Sequence, residues 1–300
     1  MLVAVLAAEI DRPVIAWLAL FAACLTRPQV LVFGLLLGVV LLVRVDWRRT
    51  LTSLSWAILI TFVILLPFTL ATSPSLPIDI LLNNLHIQEA SGNDVALTTV
   101  SQDAFSVWPL VTYLAHGASG LQRSFTPSST PLVGSLTYQT AGQIITIIVL
   151  LSVVAFLVLR RNQIRSNGEY LPLVTFGAVA FLMFVPGLLA THFLLAMPFL
   201  LLCRRWMSNV AFFYVVATWT ITTLVPMYGD MGVLISSIDY PQLAQANNPV
   251  TRLFVYLYTS DRFITVATVA NVCAMVWLAV IALRQSRGSI STAAARAAAS

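Results

Sequence analysis

From Leu171 to Cys203 the chain is almost wholly apolar for 33 residues, and Pro186-Gly187 falls near the middle of the run. As one helix it would be about 50 Å long, against a hydrocarbon core of roughly 30 Å. Two full crossings would need about 40 residues. One helix is too long for a bilayer, and two complete ones need more residues than the run holds. The run therefore predicts a hairpin of two short helices that turns near one face of the membrane, with the Pro-Gly pair at the turn. His192 falls just past that turn, and an ionisable side chain inside a membrane segment marks a candidate functional site.

Composition places the whole chain in the same class. Apolar residues make up 59% of it and charged residues only 9%, and its mean hydropathy of +0.91 is out of range for a soluble domain. Met1–Ala8 is apolar, but Glu9, Asp11 and Arg12 follow without a small-residue cleavage pattern, so no cleavable signal peptide is expected. All 16 basic residues are arginines. They flank the apolar segments, so the net charge of +5 reports orientation and gives no sign of a nucleic-acid partner. Cys24, Cys203 and Cys273 lie within apolar segments at spacings that suit neither a metal nor a disulfide framework.

Apolar segments fall at 13–26, 28–43, 51–71, 138–159, 171–186, 188–203, 207–228 and 263–283. The expected fold is all-α, a polytopic membrane protein of about eight segments with two short-helix hairpins and a large external loop at 72–137. Four arginine clusters (Arg44/Arg48/Arg49, Arg160/Arg161/Arg165, Arg204/Arg205 and Arg284/Arg287) mark the cytoplasmic side by the positive-inside rule. Each pair of neighbouring clusters is separated by an even number of crossings, which agrees. Residues 1–285 form the membrane domain, and 286–300 form a frayed cytoplasmic tail. The chain is expected in the plasma (inner) membrane, with its working side external or periplasmic and its C-terminus cytoplasmic.

Residues 13–26 and 28–43 repeat the hairpin logic, with Arg27-Pro28-Gln29 as the turn and proline suited to the first position of a new helix. That places Arg27 as a cation at the outer interface. In the 66-residue external loop, Ile78–Gln88 has the spacing of a surface-lying helix. Phe105, Trp108 and Tyr113 read as interface anchors, and Ser119–Gly134 reads as loop. His86, His116 and Arg123 show no metal-ligand spacing and read as solvated loop residues. Asp230, Asp239 and Asp261 read as exposed on the other external segment.

Several stretches resemble the GT-C superfamily of integral-membrane glycosyltransferases, which transfer sugars from polyprenyl-phosphate donors. Leu25-Thr26-Arg27-Pro28-Gln29 resembles an L-T-K/R-P-Q turn of bacterial mannosyltransferase-like members. Thr99–Trp108 resembles their T-V-N-A-F-N-L-W segment, and Gly134–Gly142 resembles G-L-T-Y-Q-x-x-G. Ala190–Phe199 resembles T-x-M-H-E-R-Y-L-L-x-A-L-P-F. Together these stretches cover most of residues 10–230. The chain departs from the pattern where the family has His-Glu-Arg-Tyr, since only His192 is kept, and Asp103 stands beside a stretch that favours asparagine.

The resemblance implies transfer of a hexose from a lipid-linked donor to a glycan, lipid or protein acceptor on the external face, in contact with membrane lipids. It assigns Arg27 and His192 to the donor phosphate and Gln29, Asp103, Trp108 and Thr191 to the substrate lining. No metal is implied, and the only small molecule called for is the polyprenyl-phosphate sugar itself. The family's acidic catalytic loop has no counterpart in the 300 residues, so the catalytic residue is unknown. The expectation is therefore the C-terminal portion of such an enzyme. Glu9 and Asp11 are the closely spaced carboxylates, and they fall on the cytoplasmic side. Plainer roles stay open: Arg27 as a snorkelling anchor, His192 as a buried histidine bonded to a carbonyl freed at the break, Asp103 as a turn or cap residue. The rival functions are a transporter or lipid flippase and a non-catalytic subunit of a glycosylation complex.

Overall fold

The computed structural model describes residues 2–26, 30–71, 99–101, 104–162, 164, 169–188, 190–237 and 249–297. They are overwhelmingly helical. Helix α1 (Leu2–Glu9) is followed by α2 (Pro13–Thr26), α3 (Val30–Arg44) and α4 (Trp47–Ala71). Then come α5 (Trp108–His116), α6 (Gly120–Phe125) and a small antiparallel pair, β1 (Pro131–Val133) and β2 (Leu136–Thr137). Next are α7 (Tyr138–Leu159), α8 (Leu171–Phe184), α9 (Ala190–Phe193) and α10 (Met197–Leu202). The last three are α11 (Asn209–Ser237), α12 (Pro249–Thr259) and α13 (Asp261–Ala297).

Among the described residues, four stretches are long and apolar enough to cross a membrane: Trp47–Ala71, Tyr138–Leu159, Asn209–Gly229 and Asp261–Arg284. Shorter apolar helices cover Pro13–Leu25, Val30–Arg44 and Leu171–Phe184. Only 11% of the apolar window of α4 is buried, and Ile58, Phe62, Val63 and Ile64 stand more than half exposed. Such a bare face is unfavourable in water and natural against lipid. The chain is an all-α membrane protein.

Of the eight expected segments, those at 51–71, 138–159, 207–228 and 263–283 correspond to these four helices. The run at 171–203 does break at Pro186-Gly187, where Gly187 takes a φ of 76°. Its second arm is not the single short helix expected over 188–203. It is a relay of α9, a 3-10 turn at Leu194–Ala196, α10 and a second 3-10 turn at Cys203–Trp206. Pro198 enters at the start of α10, where its missing N–H costs nothing. Ser119–Gly134, expected as loop, contains α6 and β1. The tail does not fray at 286: its Ala-rich composition continues α13 to Ala297. The expected surface helix Ile78–Gln88 lies outside the described residues.

The chain divides into two compact units: residues 1–93, 150–178 and 281–300 form one, and residues 94–149 and 179–280 form the other. In the first unit, glycines let helices approach closely. A Cβ on Gly38 would meet the Trp17 ring at 3.2 Å, and one on Gly177 would meet Leu36 at 3.0 Å and Val153 at 3.3 Å. Helix α1 ends in a left-handed turn at Asp11 (φ 57°), with Arg12 N–H donating to the Ala7 carbonyl (2.8 Å) and Asp11 N–H to Ala8 (3.3 Å). In the second unit, α11 and α12 pack so closely that a side chain on Gly229 would collide with Tyr258. Phe105, Val225, Tyr258, Ile264 and Ala267 form one core there, and Val100, Trp108, Tyr138 and Ala141 form another.

Candidate functional site

The helix break at 184–187 is the organising feature of the second unit. Proline and glycine free backbone groups there that a membrane interior cannot hydrate. The segment 99–108 satisfies them. Gly187 N–H donates to the Val100 carbonyl (3.2 Å), and Val107 N–H donates to the Met183 carbonyl (3.3 Å). The indole Nε1 of Trp108 donates to the Phe184 carbonyl (3.0 Å). A second contact comes from the first turns of α7, where Gly142 lies directly against Pro186 and the Phe184 carbonyl. Trp108 meets Tyr138 edge-on at 5.7 Å. Beyond the break, the Phe193 carbonyl accepts a bond from Trp219 Nε1 (2.9 Å), and the two rings pack at 5.0 Å.

Segment 99–108 is itself held on three sides. Thr99 bridges to Pro127, and Val100 N–H donates to the Thr126 carbonyl (2.7 Å). Ser101 Oγ donates to the Ala104 carbonyl and lies 3.0 Å from Ser106 Oγ. Asn271, fully buried on α13, donates through Nδ2 to the Phe105 carbonyl (2.8 Å), while its Oδ1 accepts from Thr222 Oγ1 on α11 (2.9 Å). A buried amide in an apolar helix is stable only with such partners. Asn271→Leu is expected to orphan the Phe105 carbonyl and lower stability by about 1–2 kcal/mol. Chemical unfolding in detergent micelles reads this directly, and an unchanged midpoint would mean the bond contributes nothing.

The sequence-derived residues fall unevenly around this centre. His192 is buried on α9, five residues beyond Gly187. Trp108 and Phe105 are 1% and 2% exposed, so neither is the interface anchor expected; Trp108 braces the break and Phe105 packs at 5.8 Å on Phe263. Tyr113 is exposed. Thr191 contributes backbone to α9. Arg27, Gln29, Asp103, His86 and Asp239 lie outside the described residues. His116 is exposed at the end of α5, 6.0 Å from the Tyr138 ring. Among the described residues no three His, Cys, Asp or Glu side chains gather as a metal site.

Arg123 corrects its reading most sharply. Expected as a solvated loop residue, it is 3% exposed. Its Nε donates to the Ala118 carbonyl (2.8 Å) and one terminal nitrogen to Thr265 Oγ1 (2.8 Å). The other lies 3.6 Å from Asp261, and the guanidinium stacks 4.2 Å over the Tyr113 ring. It ties α6 to the start of α13 and has little left to offer a ligand. Glu9 and Asp11 are likewise engaged, Glu9 with Arg44 (3.5 Å) and Asp11 with Arg49 (2.7 Å). Beside the first pair, burial and the Glu9 charge push the Tyr170 phenol above the ordinary tyrosine range, with Arg44 opposing.

Sequence reasoning missed Asn271 and Thr222. The available signal was an amide in the middle of an apolar span, which is a feature to question wherever it occurs. Comparison of the chain with protein families, curated proteins and solved structures yields no match.

Proposed function

We propose that the chain belongs to an integral-membrane glycosyltransferase of the GT-C type, which moves a hexose from a polyprenyl-phosphate donor to an acceptor on the external face. One observation carries the reading. The stretches 99–108 and 134–142, separate in sequence, meet at the break at 184–187 through the Val100, Trp108, Gly142 and Tyr138 contacts, and the stretch 190–199 follows that break directly along the chain. These three stretches bear the resemblance, and the meeting of the first two at one place supports reading them together. In this reading the short helices 13–26, 28–43, 171–184 and the relay at 190–206 complete eight segments, and the arginine clusters face the cytoplasm.

The chemistry follows from the donor. The acceptor oxygen forms a bond to the anomeric carbon as the bond from that carbon to the phosphate oxygen breaks. The acceptor proton passes to a carboxylate of the family's acidic loop, which the resemblance implies for the complete enzyme and which has no counterpart in these 300 residues. The leaving lipid phosphate gains negative charge through the step, so cations fixed near it lower the barrier. Arg27 and His192 hold that role, the arginine through its bidentate fork and the histidine through a ring N–H.

Membranes containing the protein, supplied with labelled polyprenyl-phosphate hexose, should pass label to an endogenous acceptor. Arg27→Ala should lower that transfer by roughly tenfold or more. Near-wild-type turnover of the variant removes Arg27 from the phosphate site. Uptake of a sugar without consumption of the lipid-linked donor would instead make the protein a transporter.

A further inference from the structure

The arginine-rich end of the first unit contains a cavity of about 480 Å³ between the start of α2 and the first turns of α4. Its wall on α4 is a single helical stripe: Arg49, Thr52 and Trp56 follow at spacings of three and four residues. The facing wall is Asp11, Arg12 and Ile15. Polarity runs in one direction along α4, because Trp56 lies seven residues, about 10 Å, beyond Arg49 toward the apolar centre of the span.

Charge in the cavity is uneven. Asp11 is matched to Arg49 through Oδ2 (2.7 Å), and Arg49 also reaches the Asp11 carbonyl (3.3 Å). Among the described residues Arg12 pairs with no carboxylate. Two cations against one anion leave a single net positive charge. The hydroxyl of Thr52 is spent on the Arg48 carbonyl (2.9 Å), so the donors open to a ligand are guanidinium N–H groups. Arg12 is held in place from behind by the left-handed turn at Asp11 and its own N–H bond to Ala7.

We propose that this cavity binds the headgroup of an anionic phospholipid, with its phosphodiester at Arg12 and Arg49 and its glycerol and upper acyl carbons along Ile15 and Trp56. A phosphodiester brings the one negative charge that the cavity lacks, and the guanidinium fork matches its oxygens. The cavity is large for a bare anion, and it pairs a charged mouth with apolar walls, Ile15 and Trp56 both being about half exposed. It continues onto the bare face of α4, which acyl chains must cover in a bilayer. The site is independent of the sugar-transfer reading, since none of its residues takes part there.

The test is native mass spectrometry of the full chain released from micelles containing phosphatidylglycerol or phosphatidylcholine of matched acyl chains. Phosphatidylglycerol should be retained preferentially, and Arg12→Gln should lower its retention by roughly tenfold. Arg12→Lys, which keeps the charge without the fork, should fall between and also covers a folding failure of the glutamine variant. Arg161→Gln, an exposed arginine outside the cavity, should leave retention unchanged. Equal retention of the two lipids, no loss in Arg12→Gln, or an equal loss in Arg161→Gln would overturn the proposal. Displacement of the lipid by inorganic phosphate at comparable concentration would assign the site to a free anion and overturn it as well.

Discussion

Gly142→Val is expected to lower the stability of the protein by about 3 kcal/mol or more. The reason is geometric. A Cβ at this position would stand 2.5 Å from Pro186 Cδ, 2.7 Å from Pro186 Cγ and 2.6 Å from the Phe184 carbonyl oxygen. None of these atoms can move aside cheaply. The proline ring is locked to its backbone, and the Phe184 carbonyl already accepts the Trp108 indole. Relief requires the break to shift away from α7, and the segment 99–108 is bonded to that break at Val100, Val107 and Trp108. One substitution thus strains the helix, the break and the segment together. Ile148→Ala on the same helix, at an exposed position, is the matched control and should stay within about 1 kcal/mol of wild type in lipid-like surroundings. Thermal unfolding in detergent measures both. A Gly142→Val protein with an unchanged midpoint would show that α7 and the break do not touch.

The break itself was legible in the sequence, because length and proline placement are one-dimensional information. A run too long for one crossing and too short for two has to turn, and Pro186-Gly187 marks where. The long helices were legible for the same reason. The second arm of the hairpin was not: whether 190–206 forms one helix or a relay of α and 3-10 turns depends on how Phe193 meets Trp219, a contact made across the fold. Phe105 and Trp108 misled for a related reason. An aromatic ring with a polar tip suits both a membrane interface and a buried site with one hydrogen bond, and only the Phe184 carbonyl decides for Trp108. Asn271 could have been flagged as an amide within an apolar span, but its partner Phe105 is 166 residues away. Arg123 is the strongest case. Local composition rich in Ser, Thr, Pro and Gly predicts a solvated loop, and the partners that bury it on α13 lie 142 residues distant in the case of Thr265.

Arg123 supplies the second large effect, and its test separates what a buried arginine does from what its ion pair does. Arg123→Ala should cost about 3 kcal/mol, and Asp261→Asn less than about 1 kcal/mol. The pair would predict symmetry, but the environments are not symmetric. Asp261 is half exposed and sits 3.6 Å from the guanidinium, so water already screens and replaces much of that interaction. The arginine is buried, and losing it removes two bonds at 2.8 Å, the stack on Tyr113 and the volume of the side chain. In Asp261→Asn the guanidinium keeps the Ala118 carbonyl, Thr265 and the ring, so it is not stranded. Arg123→Lys should fall between, because an ammonium keeps the charge but cannot span Ala118 and Thr265 as a planar fork. Urea unfolding in micelles gives the three values, and equal losses for Arg123→Ala and Asp261→Asn would mean that the ion pair dominates after all. Hydrogen exchange adds the local consequence. Since Arg123 joins α6 to the first turn of α13, its loss should speed exchange in α5 and α6 before the long helices are affected, as local opening draws first on contacts that few others back up.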